Sequence, residues 1–306
     1  MLRSLFCLVF FGLLLATPFS ATAQSKKPAV SKEFSWVNPI PSRLQHERLE
    51  HHTFTSPSMK QDVGYCIYLP EAYQQAKNAR FPVIYYLHGG RPGSETKSIQ
   101  LVSIIDEHIS AGTIPPMIYV FVNGGPVSHY NMPNRPEAQG ADVFVKELIP
   151  HIDATYRTVA KREGRGIEGF SQGGRGTTRI MFRHPELFVS AAPGGSGYAT
   201  EKRISENDGF ENPKLQFGPG DNTWDLARAA AKGSRELPRI LVHVGTKDFN
   251  YEANLEYMDL LEELNIPFEK LIVPDVPHSA KGIYEKEGLV LLKFHAENFR
   301  KSGAIQ

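Results

Sequence analysis

From about residue 50 onward, short apolar runs alternate with amphipathic stretches. Residues 63–69, 82–88, 117–122, 189–193, 240–245 and 268–273 have the length and the β-branched or aromatic content of strands. Residues 141–156, the segment that follows Gly169 through 182, and residues 251–264 and 284–299 carry helical spacing. Pro150 lies inside the first of these and predicts a kink or break. Near-continuous apolar strands alternating with helices predict one α/β domain over 51–306, with a mainly parallel sheet covered by helices on both faces. Residues 126–140 and 195–222 are rich in Gly, Pro, Asn and Ser and predict long loops. Both follow strand ends, where open α/β sheets place ligands.

The first residues follow another pattern. Arg3 precedes an uncharged apolar stretch, and Ala21-Thr22-Ala23 has the small-x-small form of a cleavage site. Residues 1–23 therefore predict a secretory signal, too short in its apolar run to anchor in a bilayer. The expected product is secreted or periplasmic, with no stable membrane insertion after cleavage. Residues 24–50 are expected as an N-terminal extension that opens on a polar, Lys/Ser-rich stretch. Cys7 leaves with the signal. Cys66, on an alternating strand, reads as a small buried residue with no partner for an internal disulfide.

Composition narrows the function classes. The chain has 306 residues, 34 Lys+Arg against 33 Asp+Glu, and 41% hydrophobic residues. Loss of Arg3 brings the charges into balance, which argues against a dedicated nucleic-acid binder. No cofactor is called for. Metal chemistry is not indicated either, because His51-His52 lacks further ligands at metal-binding spacing.

Residues 169–173 read Gly169-Phe170-Ser171-Gln172-Gly173, the pattern G-x-S-x-G, after a strand-like run and before a helix. In that context the tight turn holds the serine hydroxyl above the sheet, and side chains at the flanking glycines would collide with backbone. The helix N-terminus behind Ser171 adds partial positive charge. A serine needs a base. Of the eleven histidines, His184, His243, His278 and His295 follow Ser171. His278 comes just after a strand, where a loop can carry it over the sheet. His243 lies inside an apolar strand and reads as a core residue. Asp248 ends the strand 240–245 and is the preferred acid, with Asp275 as competitor. The backbone N–H of Gln172, together with Gly89 or Gly90 in His88-Gly89-Gly90-Arg91, is the expected oxyanion hole. His88 is expected to prop that loop.

Taken together, Tyr65-Cys66-Ile67-Tyr68-Leu69-Pro70, Phe81 to Gly90, Glu147 to Asp153 and Gly169 to Gly174 resemble the esterase family that includes esterase D, feruloyl and acetylxylan esterases, enterochelin esterases and mycolyltransferases. The resemblance spans roughly residues 50–300. It implies an α/β-hydrolase fold, with Asp248 and His278 in the acid and base positions. It also implies a small-molecule or polysaccharide ester substrate, with acyl or feruloyl esters of carbohydrates as the expected class. The same scaffold serves siderophore-lactone esterases and acyltransferases, and a binding module without catalysis is the reading from another class. Many carbohydrate-active members carry an aromatic shortly after the histidine. Here Ser279-Ala280-Lys281-Gly282 follows His278, so the resemblance does not extend to that platform. Arg91, Asn123, Tyr130, Asn131 and Trp224 are expected as substrate contacts, with loop packing or ion pairing as the alternative for each. Arg91 and Arg175 flank the expected site and would suit an anionic substrate, with surface or structural ion pairing as the preferred alternative.

Overall fold

A computed structural model describes residues 33–305, so the expected signal and residues 24–32 lie outside the described residues. The strands are β1 (Leu49–Ser56), β2 (Gln61–Tyr68), β3 (Val83–Leu87), β4 (Ile118–Val122), β5 (Arg165–Phe170) and β6 (Ser190–Gly194), then β7 (Phe210–Asn212), β8 (Leu215–Gln216), β9 (Arg239–Lys247) and β10 (Glu269–Pro277). Eight of them form one sheet in the order β1-β2-β4-β3-β5-β6-β9-β10, and β7-β8 is a separate hairpin. From β4 to β10 every pairing is parallel, and β1 and β2 add an antiparallel edge.

Side-chain alternation fixes which residues meet which helices. Val83, Tyr85 and Leu87 of β3 join one core cluster, and Ile84 and Tyr86 join the other. The nine α-helices of the described residues are α1 (Glu71–Gln75), α2 (Val102–Ser110), α3 (Gly140–Asp142), α4 (Ile149–Thr155), α5 (Gln172–Arg183), α6 (Tyr198–Glu206), α7 (Thr223–Lys232), α8 (Tyr251–Glu263) and α9 (Ala280–Lys301). The face with Tyr85 packs on α4, α5 and α8, and the face with Tyr86 packs on α2 and α9. Both faces of the central strands are dry, which is why they read as continuous apolar runs.

Three expectations change. Pro150 does not break its helix: a π-helical segment, Val143–Leu148, joins α3 to α4, and the proline sits in the first turn of α4. The irregularity that the proline predicts is instead the change from π-helical to α-helical turns directly before it, where the wide turn spares the ring a clash with the carbonyl behind. Residues 195–222 are not a plain loop, since they fold into α6 and the β7-β8 hairpin. The expected extension is part of the domain from Glu33. Trp36 is buried in the core, its carbonyl accepts from Gly64 N (2.7 Å), and β1 begins at Leu49.

Candidate active site

Strand register brings the chemistry to one end of the sheet. Leu87 pairs with Gly169, so the loop after β3 lies beside the turn after β5. Pro277 pairs with Lys247, so the residues that follow β10 and β9 are neighbours too. At the turn, Ser171 has φ 61° and ψ −115°, a conformation that L-residues adopt only when the surroundings force it. The forcing is visible. A Cβ on Gly173 would lie 1.9 Å from Leu87 O, and one on Gly169 would lie 2.6 Å from Gly173 O. Ser171 N donates to Gly194 O (2.8 Å), and α5 starts directly behind.

Three expected residues come together there. Ser171 Oγ lies 2.8 Å from His278 Nε2, and His278 Nδ1 lies 2.8 Å from each oxygen of Asp248. The Asp248 side chain is fully buried and that of His278 is about one-fifth exposed. A buried carboxylate on Nδ1–H leaves Nε2 as the acceptor facing the serine, which is the arrangement that lets a hydroxyl act as a nucleophile. Asp275 is elsewhere: it is exposed and pairs with Lys247 at 2.7 Å.

Gly89 sits against the serine. A Cβ there would be 3.3 Å from Ser171 Cβ and 3.2 Å from Phe170 O, whereas one on Gly90, at φ +68°, would point toward Lys97 Nζ (3.6 Å) and away from the serine. The geometry thus favours Gly89 over Gly90 as the residue next to the reacting atoms. Gln172, first in α5, has no carbonyl of its own helix to donate to. His88 holds the loop. Its Nε2 accepts from Ser94 N (3.3 Å) and Gly124 N (3.2 Å), so Nδ1 carries the proton and donates to Gly89 O (3.0 Å). Burial drives its pKa down to about 3, keeping the ring neutral.

A profile described as "Putative esterase" matches residues 56–265. The chain belongs to this family. It is similar to Esterase Rv1288 of Mycobacterium tuberculosis, 29% identical over 260 residues that cover 74% of this chain and 55% of that protein. It is also similar to an endo-1,4-beta-xylanase/feruloyl esterase of Xylanibacter ruminicola, 30% identical over 157 residues that cover 47% of this chain and 21% of that one. The chain spans about half the length of the mycobacterial relatives it matches. Among solved structures, a ferulic acid esterase superposes with a TM-score of 0.67 at 21% identity, covering 82% of this chain and 98% of that one. The S-formylglutathione hydrolase of Staphylococcus aureus does so with 0.63 at 18%, covering 82% and 100%. The fold is that of the α/β-hydrolases.

Within this esterase-family site, the five expected substrate contacts are committed to internal partners. Arg91 makes a bidentate pair with Glu211 (2.8 and 2.9 Å). The Asn123 amide donates to Ser35 O, Trp36 O and Glu95. Tyr130 is buried and bonded to Glu201 and Arg175, and Trp224 is buried and donates to Tyr198 O. Asn131 Oδ1 accepts from Asp142 N at 3.0 Å. Arg175, likewise, is buried between Glu201 (2.6 Å) and Glu211 (3.2 Å). Burial pushes the Glu201 carboxyl up and the Arg175 guanidinium down, to about 10. Arg175, Tyr130 and Thr223 N all converge on Glu201, donors that suit an ionised carboxylate and keep the pair charged.

Several residues near the site were not anticipated. Glu211 joins Arg91 to Arg175, and Ser128 Oγ donates to Gly90 O (2.7 Å). Phe249 stands exposed beside His278. A sequence signal existed only for Phe249, an aromatic placed directly after the strand-end acid. Among the described residues no group of three metal-ligating side chains is close enough to hold an ion, and no helix is long and apolar enough to cross a membrane.

Proposed function

We propose that this chain is a serine carboxylic-ester hydrolase that works through an acyl-enzyme on acyl or feruloyl esters of carbohydrates. The observation that carries the reading is the contact chain Ser171–His278–Asp248, with 2.8 Å at each link, mounted on a turn that only glycine neighbours permit. Ser171 Oγ bonds to the ester carbonyl carbon while its proton passes to His278 Nε2. The carbonyl oxygen becomes an oxyanion facing the N–H of Gln172 and the Gly89 loop. As the bond to the alcohol oxygen breaks, His278 returns the proton to the leaving alkoxide. Water then adds to the acyl carbon, again giving its proton to His278, and the acid departs as Ser171 is restored.

The carbohydrate part of the reading draws on the names of a relative and of structural neighbours, which are feruloyl or ferulic acid esterases. The secreted or periplasmic location draws on the pattern of residues 1–23. The test is hydrolysis of 4-nitrophenyl acetate and methyl ferulate by the purified protein and by Ser171→Ala. Loss of turnover and of fluorophosphonate labelling in the variant is expected, and full activity in Ser171→Ala would overturn the mechanism. Mass measurement of the protein recovered outside the cytoplasm should give a chain that starts at Gln24.

A further inference from the structure

Phe249 is 79% exposed, about twice as much as Phe210 and Val290, the other exposed large apolar residues of the described chain, which are at 40%. A phenylalanine of an ordinary fold is buried, because its ring contributes most where water is excluded. This one is held out by rigid backbone. Asp248 N donates to Gly245 O (3.0 Å), Asn250 N to Asp248 Oδ1 (2.8 Å) and Tyr251 N to Asp248 O (2.9 Å). The Asn250 amide donates to Gly195 O (2.9 Å), and Asn254 Nδ2 donates back to Asn250 O (2.8 Å). Residues 248–250 therefore cannot relax to tuck the ring away. The ring lies against His278, with centroids 4.1 Å apart and planes at 40°, while buried Phe170 packs on the same imidazole at 4.9 Å.

The position of Phe249 relative to Ser171 says which part of an ester it meets. In the sheet β5 has β3 on one side, and β6, β9 and β10 on the other. The oxyanion loop comes from β3, so the carbonyl oxygen points that way. His278 and Phe249 come from the β9-β10 side. The leaving alcohol must receive its proton from His278 Nε2 and so must lie within about 3 Å of it, on that same side. A ring attached to the leaving oxygen is thereby carried over the exposed face of Phe249.

We propose that Phe249 is a specificity-determining residue that binds the alcohol portion of the ester, and that the preferred alcohol bears a six-membered ring with an apolar face. A pyranose, through its C–H face, and an aryl ring share that chemistry. The proposal rests on the ester-hydrolase reading above. It also supplies, in the turn after β9, the aromatic surface that the segment after His278 lacks.

The experiment compares esters with one acyl group and three alcohols: a monoacetylated methyl xylopyranoside, benzyl acetate and ethyl acetate. In Phe249→Ala the ratio of kcat/KM for the ring-bearing esters to that for ethyl acetate should fall on the order of tenfold. Phe249→Trp should preserve the ratio. The xylopyranoside and benzyl arms distinguish a sugar face from an aryl ring. An unchanged ratio in Phe249→Ala would overturn the proposal and leave the ring as a shield for His278. A second measurement is independent of turnover. In Phe249→Trp combined with Ser171→Ala, methyl xylopyranoside or benzyl alcohol should give a saturable fluorescence change that ethanol does not. Absence of both responses overturns the platform. A wild-type protein that hydrolyses none of the three esters but shows these responses overturns the hydrolase reading alone.

Discussion

Asp275 lies three residues before His278 in the chain and Asp248 thirty, yet burial favours the distant one. Both Asp248 oxygens are 2.8 Å from Nδ1 with no exposed side-chain surface, while Asp275 is spent on Lys247 in solvent. Replacing a buried triad carboxylate by an amide keeps the shape but loses the acceptor that selects the imidazole tautomer. Asp248→Asn should therefore lower kcat on 4-nitrophenyl acetate by about 10³–10⁴-fold with little change in KM. Asp275→Asn should stay within about twofold, as expected of an exposed ion pair. Equal losses in the two variants would move the acid to Asp275. Asp248 was legible because it ends the most apolar strand. The roles of Asn123, Tyr130, Asn131 and Trp224 were not. Polar and aromatic loop residues look alike in sequence whether they face a ligand or a buried partner, and the partners here are distant: Glu201 lies 71 residues beyond Tyr130, and Glu211 lies 120 beyond Arg91.

At the scale of elements, long apolar strands and their order were readable because both faces are dry. The short cap elements were not: α6 buries three residues, and β7 and β8 are three and two residues long, too short for any periodicity to show. Yet the hairpin is tied to the site. Glu211 on β7 reaches Arg91, two residues beyond Gly89, and Arg175, which donates to the Gln172 side chain at 3.0 Å. Glu211→Ala leaves Arg91 without its bidentate partner and Arg175 with Glu201 as its one remaining carboxylate among these contacts. Loss of these charge-assisted bonds at a half-buried site should lower stability by about 1–3 kcal/mol. It should also lower kcat/KM for all esters by roughly tenfold, since each of the proposed oxyanion donors, Gly89 and Gln172, is close in chain or by hydrogen bond to a loosened arginine. Chemical denaturation and steady-state kinetics check the two effects separately. A loss of stability with unchanged kinetics would confine Glu211 to holding the hairpin. Glu211→Gln, which keeps some hydrogen bonding, should fall between the two.

The whole molecule carries a near-neutral formal charge, so its response to pH is set by buried groups more than by overall repulsion. His88, His129 and His243 are all buried, and desolvation holds each in its neutral form. His88 is driven down to about 3 and His243 to about 4, from an ordinary value of 6.5. His243 is the clearest case: neither ring nitrogen has a hydrogen-bond partner, and the ring lies so close to Gly194 that a Cβ there would be 1.9 Å from it. Below pH 6.5 the unfolded chain takes up protons that the native state refuses, so stability rises with pH across this window. The contribution is complete at pH 7, is lost as pH falls through 6.5, and levels off near pH 4 to 3, where the native histidines titrate. Each such histidine contributes a slope approaching about 1.4 kcal/mol per pH unit. Urea midpoints between pH 7 and 5.5 isolate this effect, because paired carboxylates add their own losses mainly below about pH 5. Stability should fall across that interval with a slope of about two to three protons near its acid end. His243→Leu, a buried apolar replacement, should remove about one proton from the slope. A slope that His243→Leu leaves unchanged would mean that the ring is protonated in the folded interior, with Glu168 as the charge that most favours that form.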